Sequence, residues 1–177
     1  MRDSVGGDIL SLMARVGTDM SDDEEPQRLV FYKDDIKKIT KTLNAFLKNA
    51  KARCVLLVDK EGYVLSKEGD SSTYDLDTIS ALVAGSFTAT KQMAKLQGEE
   101  EFSIMFHKGK KDNIQLSLVG DRTLLAVLFD DKTTLGMVRL HASQVTAKLT
   151  ELFNDIAKRG RKGSGPSDGP GPSLSPA

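Results

Sequence analysis

The sequence predicts an α/β fold of the α+β kind, a five-stranded antiparallel sheet with helices packed on it, in the order α-β-β-α-β-β-β-α. Three observations carry this. Apolar residues recur at helical spacing over 34–50, 75–97 and 133–158. Short strand-like runs lie between them, and one, "NIQLSLV", alternates apolar with polar residues. The connections "DKEG", "GKKD" and "GD" are short enough to make neighbouring strands hairpins.

The first helix, Asp34 to Ala50, gathers Ile36, Ile39, Leu43, Phe46 and Leu47 on one side. Arg53 to Asp59 is a strand whose continuous apolar run implies burial on both faces. "DKEG" turns the chain into Tyr63 to Lys67, with Gly62 free to take positive φ. Asp75 or Asp77 caps the middle helix, which stops at Gly98. Phe102 to His107 is a short strand. Ile114, Leu116 and Leu118 then line one side of a half-buried strand. Arg122 to Phe129 is the last strand, and its apolar run reads as central. Asp130 or Asp131 with Thr133 or Thr134 starts the final helix, which runs to about Lys158. Leu135, Val138, Ala142, Val145, Leu149, Leu152 and Ile156 form its seam.

The ends read as appendages, dividing the chain into an N-terminal extension (1–28), one domain (29–157) and a tail (158–177). The extension holds the acidic run "SDDEEP", with Ile9, Leu10, Leu12, Met13 and Val16 spaced for one face of a short helix. The tail starts basic, at Lys158, Arg159, Arg161 and Lys162, then turns Gly/Pro/Ser-rich, a composition expected to be disordered.

The chain is 39% hydrophobic and 28% charged, with a formal net charge of +0. That balance lacks the basic surplus of a general nucleic-acid binder. No apolar run nears the roughly 18 residues of a membrane span, and the N-terminus lacks a signal-peptide core. The single cysteine, Cys54, sits in "CVLLV" and reads as a buried small hydrophobe in a reducing compartment.

No catalytic constellation assembles. His107 and His141 lie in different elements, without partners at metal-ligand spacing. No Walker-type phosphate loop is present. Asp130 and Asp131 sit at a strand-to-helix corner, where capping accounts for at least one. Arg122 and Arg139 flank that corner, and Arg139 reads as a surface or structural arginine.

The middle helix has two unequal sides. Leu76, Ile79, Val83, Phe87, Thr90, Met93 and Ala94 make a core side. Opposite fall Ala81, Gly85, Thr88, Gln92 and Lys95, where an ordinary exposed helix would carry long charged residues. Gly85 costs a helix interior about 1 kcal/mol relative to Ala, and close approach of another helix is a natural reason for it. Phe102, Ile104 and Phe106 on the following edge strand suit pairing with a second copy.

The stretches "VLLVDKEGYVLSKEG", "LDTISALVAGSFTATKQMAKLQGEEEF" and "LAVLFDDKTTLGMVRL", with the lead-in "LVFYKDDIKKI", resemble the Roadblock/dynein-light-chain family over about Leu29 to Phe153. Within it they are similar to the MglB-like bacterial polarity regulators. The resemblance implies a Roadblock-type sandwich with helices on both faces of the sheet, one on one side and two on the other. It implies a homodimer through the middle helix and the strand after it. It also implies binding of a Ras-like small GTPase of MglA type, and faster GTP hydrolysis through the GTPase's own catalytic residues. The setting implied is cell polarity or gliding motility, in the cytoplasm and at a cell pole. No cofactor, metal or catalytic residue of the chain's own follows from it. Carried over by position, the GTPase and dimer contacts fall on Ala81, Gly85, Thr88, Lys91, Gln92 and Lys95. The alternative is a scaffold that binds the GTPase without changing turnover.

Overall fold

The computed structural model describes residues 31–162. Helix α1 (Lys33–Ala50) is followed by β1 (Cys54–Asp59), β2 (Val64–Gly69), α2 (Leu76–Leu96), β3 (Ile104–Lys108), β4 (Asn113–Val119), β5 (Thr123–Phe129) and α3 (Leu135–Lys162). The strands form one sheet in the order β2-β1-β5-β4-β3, every neighbour antiparallel. The predicted element order holds. The N-terminal extension, and the tail beyond Lys162, lie outside the described residues.

Alternation along the central strands explains the layers. Leu56 and Val58 of β1 face the same side as Leu124, Ala126 and Leu128 of β5, beneath Leu76, Val83 and Phe87 of α2. Val55 and Leu57 face the other side with Leu125, Val127 and Phe129, against Leu43 and Phe46 of α1 and Val145, Leu149 and Phe153 of α3. Residues 124–129 are buried throughout, as expected of a strand covered on both faces. Cys54 is fully buried on the α2 side, and burial pushes its thiol above the usual value, so it stays protonated at neutral pH.

Several elements depart from the sequence reading. β4 is not a half-buried strand with its polar side in water. Gln115 and Ser117 are buried, with Gln115 Nε2 donating to Ser117 Oγ at 3.2 Å, because α3 reaches across β4. Thr150 of α3 also accepts from the Gly120 backbone N–H, at 3.1 Å. Phe102 precedes β3 rather than belonging to it. Ile36 is exposed, since that end of the core is closed by Phe31, whose ring meets Phe153 edge-on at 5.8 Å. The final helix continues past Lys158 to Lys162.

That extension places Arg159 on α1. Its Nη2 lies 2.6 Å from Oδ1 of Asp35, a carboxylate only 1% exposed, which also accepts from the Tyr32 backbone N–H at 3.1 Å. The Arg159 hydrogen bond holds the Asp35 carboxyl below its ordinary value, against the opposing effect of burial. A depressed folded-state pKa contributes stability that is present above the unfolded value, about 3.9. It is lost as pH falls through the lower folded value. Arg159→Gln removes the main cause and leaves burial opposed by the Tyr32 N–H and the Lys38 charge alone. The expected result is an acid-unfolding midpoint moved to higher pH, read by circular dichroism, together with a lower Tm at pH 7. An unchanged acid limb contradicts the assignment.

Candidate interaction surface on the middle helix

Local chemistry fixes where α2 starts and stops. Asp75 is the N-cap: its carboxylate accepts from the Thr78 N–H at 3.2 Å and from the Thr78 hydroxyl at 2.7 Å. The Thr78 hydroxyl keeps the Asp75 carboxyl below its usual value. At the other end Gly98 takes φ +81°, and the Glu99 N–H returns to the Ala94 carbonyl at 3.0 Å.

Two polar clusters hold α2 against the sheet. Arg53 Nη1 lies 2.9 Å from Asp112 Oδ1, and Tyr74 Oη donates to Asp112 Oδ2 at 3.0 Å. The Arg53 guanidinium lies 5.5 Å from the centre of the Tyr74 ring. This ties the loop entering α2 to the β3–β4 turn. Further along, Glu101 Oε2 lies 3.3 Å from Lys60 Nζ and 3.6 Å from Lys91 Nζ. Lys60 Nζ stands 5.5 Å from the centre of the Phe87 ring. The β1–β2 turn is thereby held to α2, and it comes close because Gly62 has no side chain. A Cβ at Gly62 would stand 3.1 Å from the Ala81 Cα, at a φ of +96°.

Beyond these contacts, which reach as far as the Ala81 backbone, the outer side of α2 is left open. Ala81, Gly85, Thr88, Gln92 and Lys95 are all exposed, as the helical spacing predicts. Lys91 is different: it sits on the flank, half-buried and engaged with Glu101. A Cβ built on Gly85 meets nothing within 4 Å, so no contact within the described residues explains this glycine. The Thr88 hydroxyl donates to its own helix, to the Ala84 carbonyl at 3.0 Å, which leaves Gln92 and Lys95 as the free polar side chains of this face.

The open face also carries large apolar residues that sequence reasoning missed. Leu82 is 66% exposed, Met93 52% and Leu96 89%. Met93 was expected on the core side. At about 100° per residue it lies roughly 120° around the helix from Phe87, which turns it outward. The missed signal was a helix apolar around most of its circumference, a pattern that marks burial against something further. The result is a stripe of small residues, Ala81, Gly85 and Ala89, flanked by Leu82 and Met93 and ending at Leu96. Exposed apolar groups gathered in this way make this face the candidate interaction surface.

The edge strand contributes less side chain than its sequence suggests. Phe106 turns inward and stacks on Phe129, with ring centres 6.2 Å apart. Ile104 is 47% exposed. The outer backbone edge of β3 has no strand partner among the described residues, leaving N–H and C=O groups available for pairing. The remaining candidates are dispersed. His107 is on β3 and His141 on α3, and no cluster of three metal-ligating side chains occurs among the described residues. Arg139 is exposed on α3, across the sheet from α2. No described helix is long and apolar enough to cross a membrane.

Comparison with known proteins agrees with this architecture. The Roadblock/LC7 domain model matches residues 38–129, from α1 to the end of β5. Myxococcus xanthus MglB is 38% identical over 72% of this chain and 96% of its own, with a TM-score of 0.68. The gliding protein MglB of Thermus thermophilus is 32% identical over 75% of this chain and 99% of its own, with a TM-score of 0.69. A structure described as MglB with tetrameric arrangement is 31% identical over the same 75%, with a TM-score of 0.69. No curated protein matched the chain. A domain model spanning the whole sheet, and likeness above 30% along nearly the full length of these solved proteins, lead to one assignment: the chain belongs to the Roadblock/LC7 family and is similar to MglB.

Proposed function

We propose that this chain is a regulator of a Ras-like small GTPase of MglA type, working as a homodimer and raising the rate of GTP hydrolysis. The observation that carries the reading is the outer face of α2, where small residues lie beside exposed Leu82, Met93 and Leu96. Similarity to MglB over most of the chain supports it. In this reading two copies associate through α2 and the β3 edge. The paired α2 faces, with Thr88, Gln92 and Lys95, then form the dock for the GTPase. Lys91, already engaged by Glu101, helps fix the geometry of that dock. A cytoplasmic role in cell polarity or motility, with enrichment at a cell pole, goes with the same reading.

A GTPase activator either inserts an arginine or holds the GTPase's own catalytic residues in place. The second route fits these residues. α2 contains no arginine, and Arg139 sits on the helix across the sheet. Arg139→Ala is therefore expected to keep most of the acceleration of GTP hydrolysis. Loss of an inserted arginine would cost on the order of 10³-fold or more. Intact binding with all acceleration lost in this variant would contradict the positioning route. Binding without any acceleration by the unmodified chain would instead favour the scaffold alternative.

A further inference from the structure

The face of the fold across the sheet from α2 carries a basic groove that the GTPase reading does not use. It runs between α1, at Lys41 and Asn49, and α3, at His141 and Lys148, over a floor of Phe46 and Val145, with a volume of about 240 Å³. The carboxylates at the start of α1 are already engaged: Asp34 lies 3.6 Å from Lys37, and Asp35 is taken by Arg159. Lys41, Lys48 and Lys148 have no ion-pair partner among the described residues.

The chain is neutral overall, and its densest run of acid is Asp22, Asp23, Glu24 and Glu25, just before Pro26. The described chain begins at Phe31, whose ring sits on Phe153 of α3. Counting back along α3 from Phe153, Lys148 is about 7 Å away and His141 about 18 Å, at 1.5 Å per residue. Glu25 precedes Phe31 by six residues, an extended reach of about 20 Å. The tether thus matches the length of the groove.

The order of chemistry matches as well. Past the cations, Met137 and Leu140 stand about half-exposed, one helical turn toward the start of α3 from His141 and Gln144. Upstream of the acidic run come the apolar Leu12, Met13 and Val16. Acid would meet the lysines first, and apolar residues would meet apolar residues beyond. We propose that the acidic segment 22–25 docks in the α1–α3 groove of its own chain. The tether supplies an effective concentration on the order of millimolar. The attraction is electrostatic and weakens with salt. Any external acidic partner for this face must then displace the segment.

The inference does not depend on the GTPase reading. Its test uses the full chain and a variant carrying Asp22→Asn, Asp23→Asn, Glu24→Gln and Glu25→Gln together. Amine-reactive labelling is followed residue by residue by mass spectrometry at low salt. Labelling of Lys41 and Lys148 is expected to be about threefold faster in the variant, the change for a contact occupied in about two thirds of molecules. Lys110, in the β3–β4 turn, serves as the control and stays unchanged. Carbodiimide crosslinking of a mixture of heavy- and light-isotope chains should join segment 22–25 to these lysines within one isotope. Equal labelling in the two proteins, or mixed heavy–light crosslinks reaching about half of the total, as random pairing between chains gives, overturns the proposal.

Discussion

Gly85→Phe is expected to turn a dimer into a monomer while leaving the chain folded. Gly85 is exposed on α2 and an added Cβ meets nothing within 4 Å, so the isolated chain accepts a side chain at this position. Folding even gains from losing the glycine. Gly85→Ala should stabilise the chain by up to about 1 kcal/mol, since glycine is the poorer helix former. A second copy packed closely against this face would feel the ring as overpacking, costing about 1–3 kcal/mol. That weakens association roughly ten- to hundredfold. Sedimentation at micromolar concentration reads the effect, and thermal unfolding confirms the fold. A Gly85→Phe chain that remains dimeric at the same concentration places the interface elsewhere.

Gln92→Arg is expected to abolish binding of the GTPase. Gln92 lies on the open face one helical turn from Thr88, with Lys95 exposed on the same face and Lys91, engaged by Glu101, on the flank. An arginine there adds a charge that must be desolvated without a partner. Comparable buried charge defects cost about 2–5 kcal/mol, roughly 30- to several-thousandfold in affinity. Thr88→Arg should act in the same direction. Sedimentation of the same variants separates loss of the dimer from loss of the GTPase contact. Normal acceleration of GTP hydrolysis by either variant would show that the docking surface is wrongly placed.

The fold was legible because its core-facing positions follow simple periods. Leu76, Val83 and Phe87 keep helical spacing, and the apolar runs 54–58 and 124–129 mark strands buried on both sides. What failed was set by contacts distant in sequence. Gln115 and Ser117 look like a solvated strand face, and only the reach of α3 over β4 buries them. Arg159 reads as part of a basic tail, yet it meets Asp35, 124 residues away. Phe106 reads as an edge residue, and its neighbour across the sheet, Phe129, draws it inward.

The candidate site was half legible. The small residues Ala81 and Gly85 stood out because a lone surface helix has no use for them. The large ones beside them, Leu82 and Leu96, give no such signal, because apolar residues in a helix usually belong to the core. Met93 reads as a core residue for the same reason, and the structure turns it outward. Lys91 could not be separated from Lys95 by spacing alone. Its ion pair with Glu101, in the loop after α2, is what distinguishes them.

In the function proposed for this protein, its α2 face docks an MglA-type GTPase and completes the GTPase's catalytic arrangement. Single-turnover GTP hydrolysis by such a GTPase, with and without an excess of this protein, tests it most directly. The expected acceleration is at least about tenfold, well short of the roughly 10⁵-fold available when an arginine is inserted. Gln92→Arg is expected to return the rate to the intrinsic value. A rate unchanged by saturating protein, with binding demonstrated in the same samples, would contradict activation through this face.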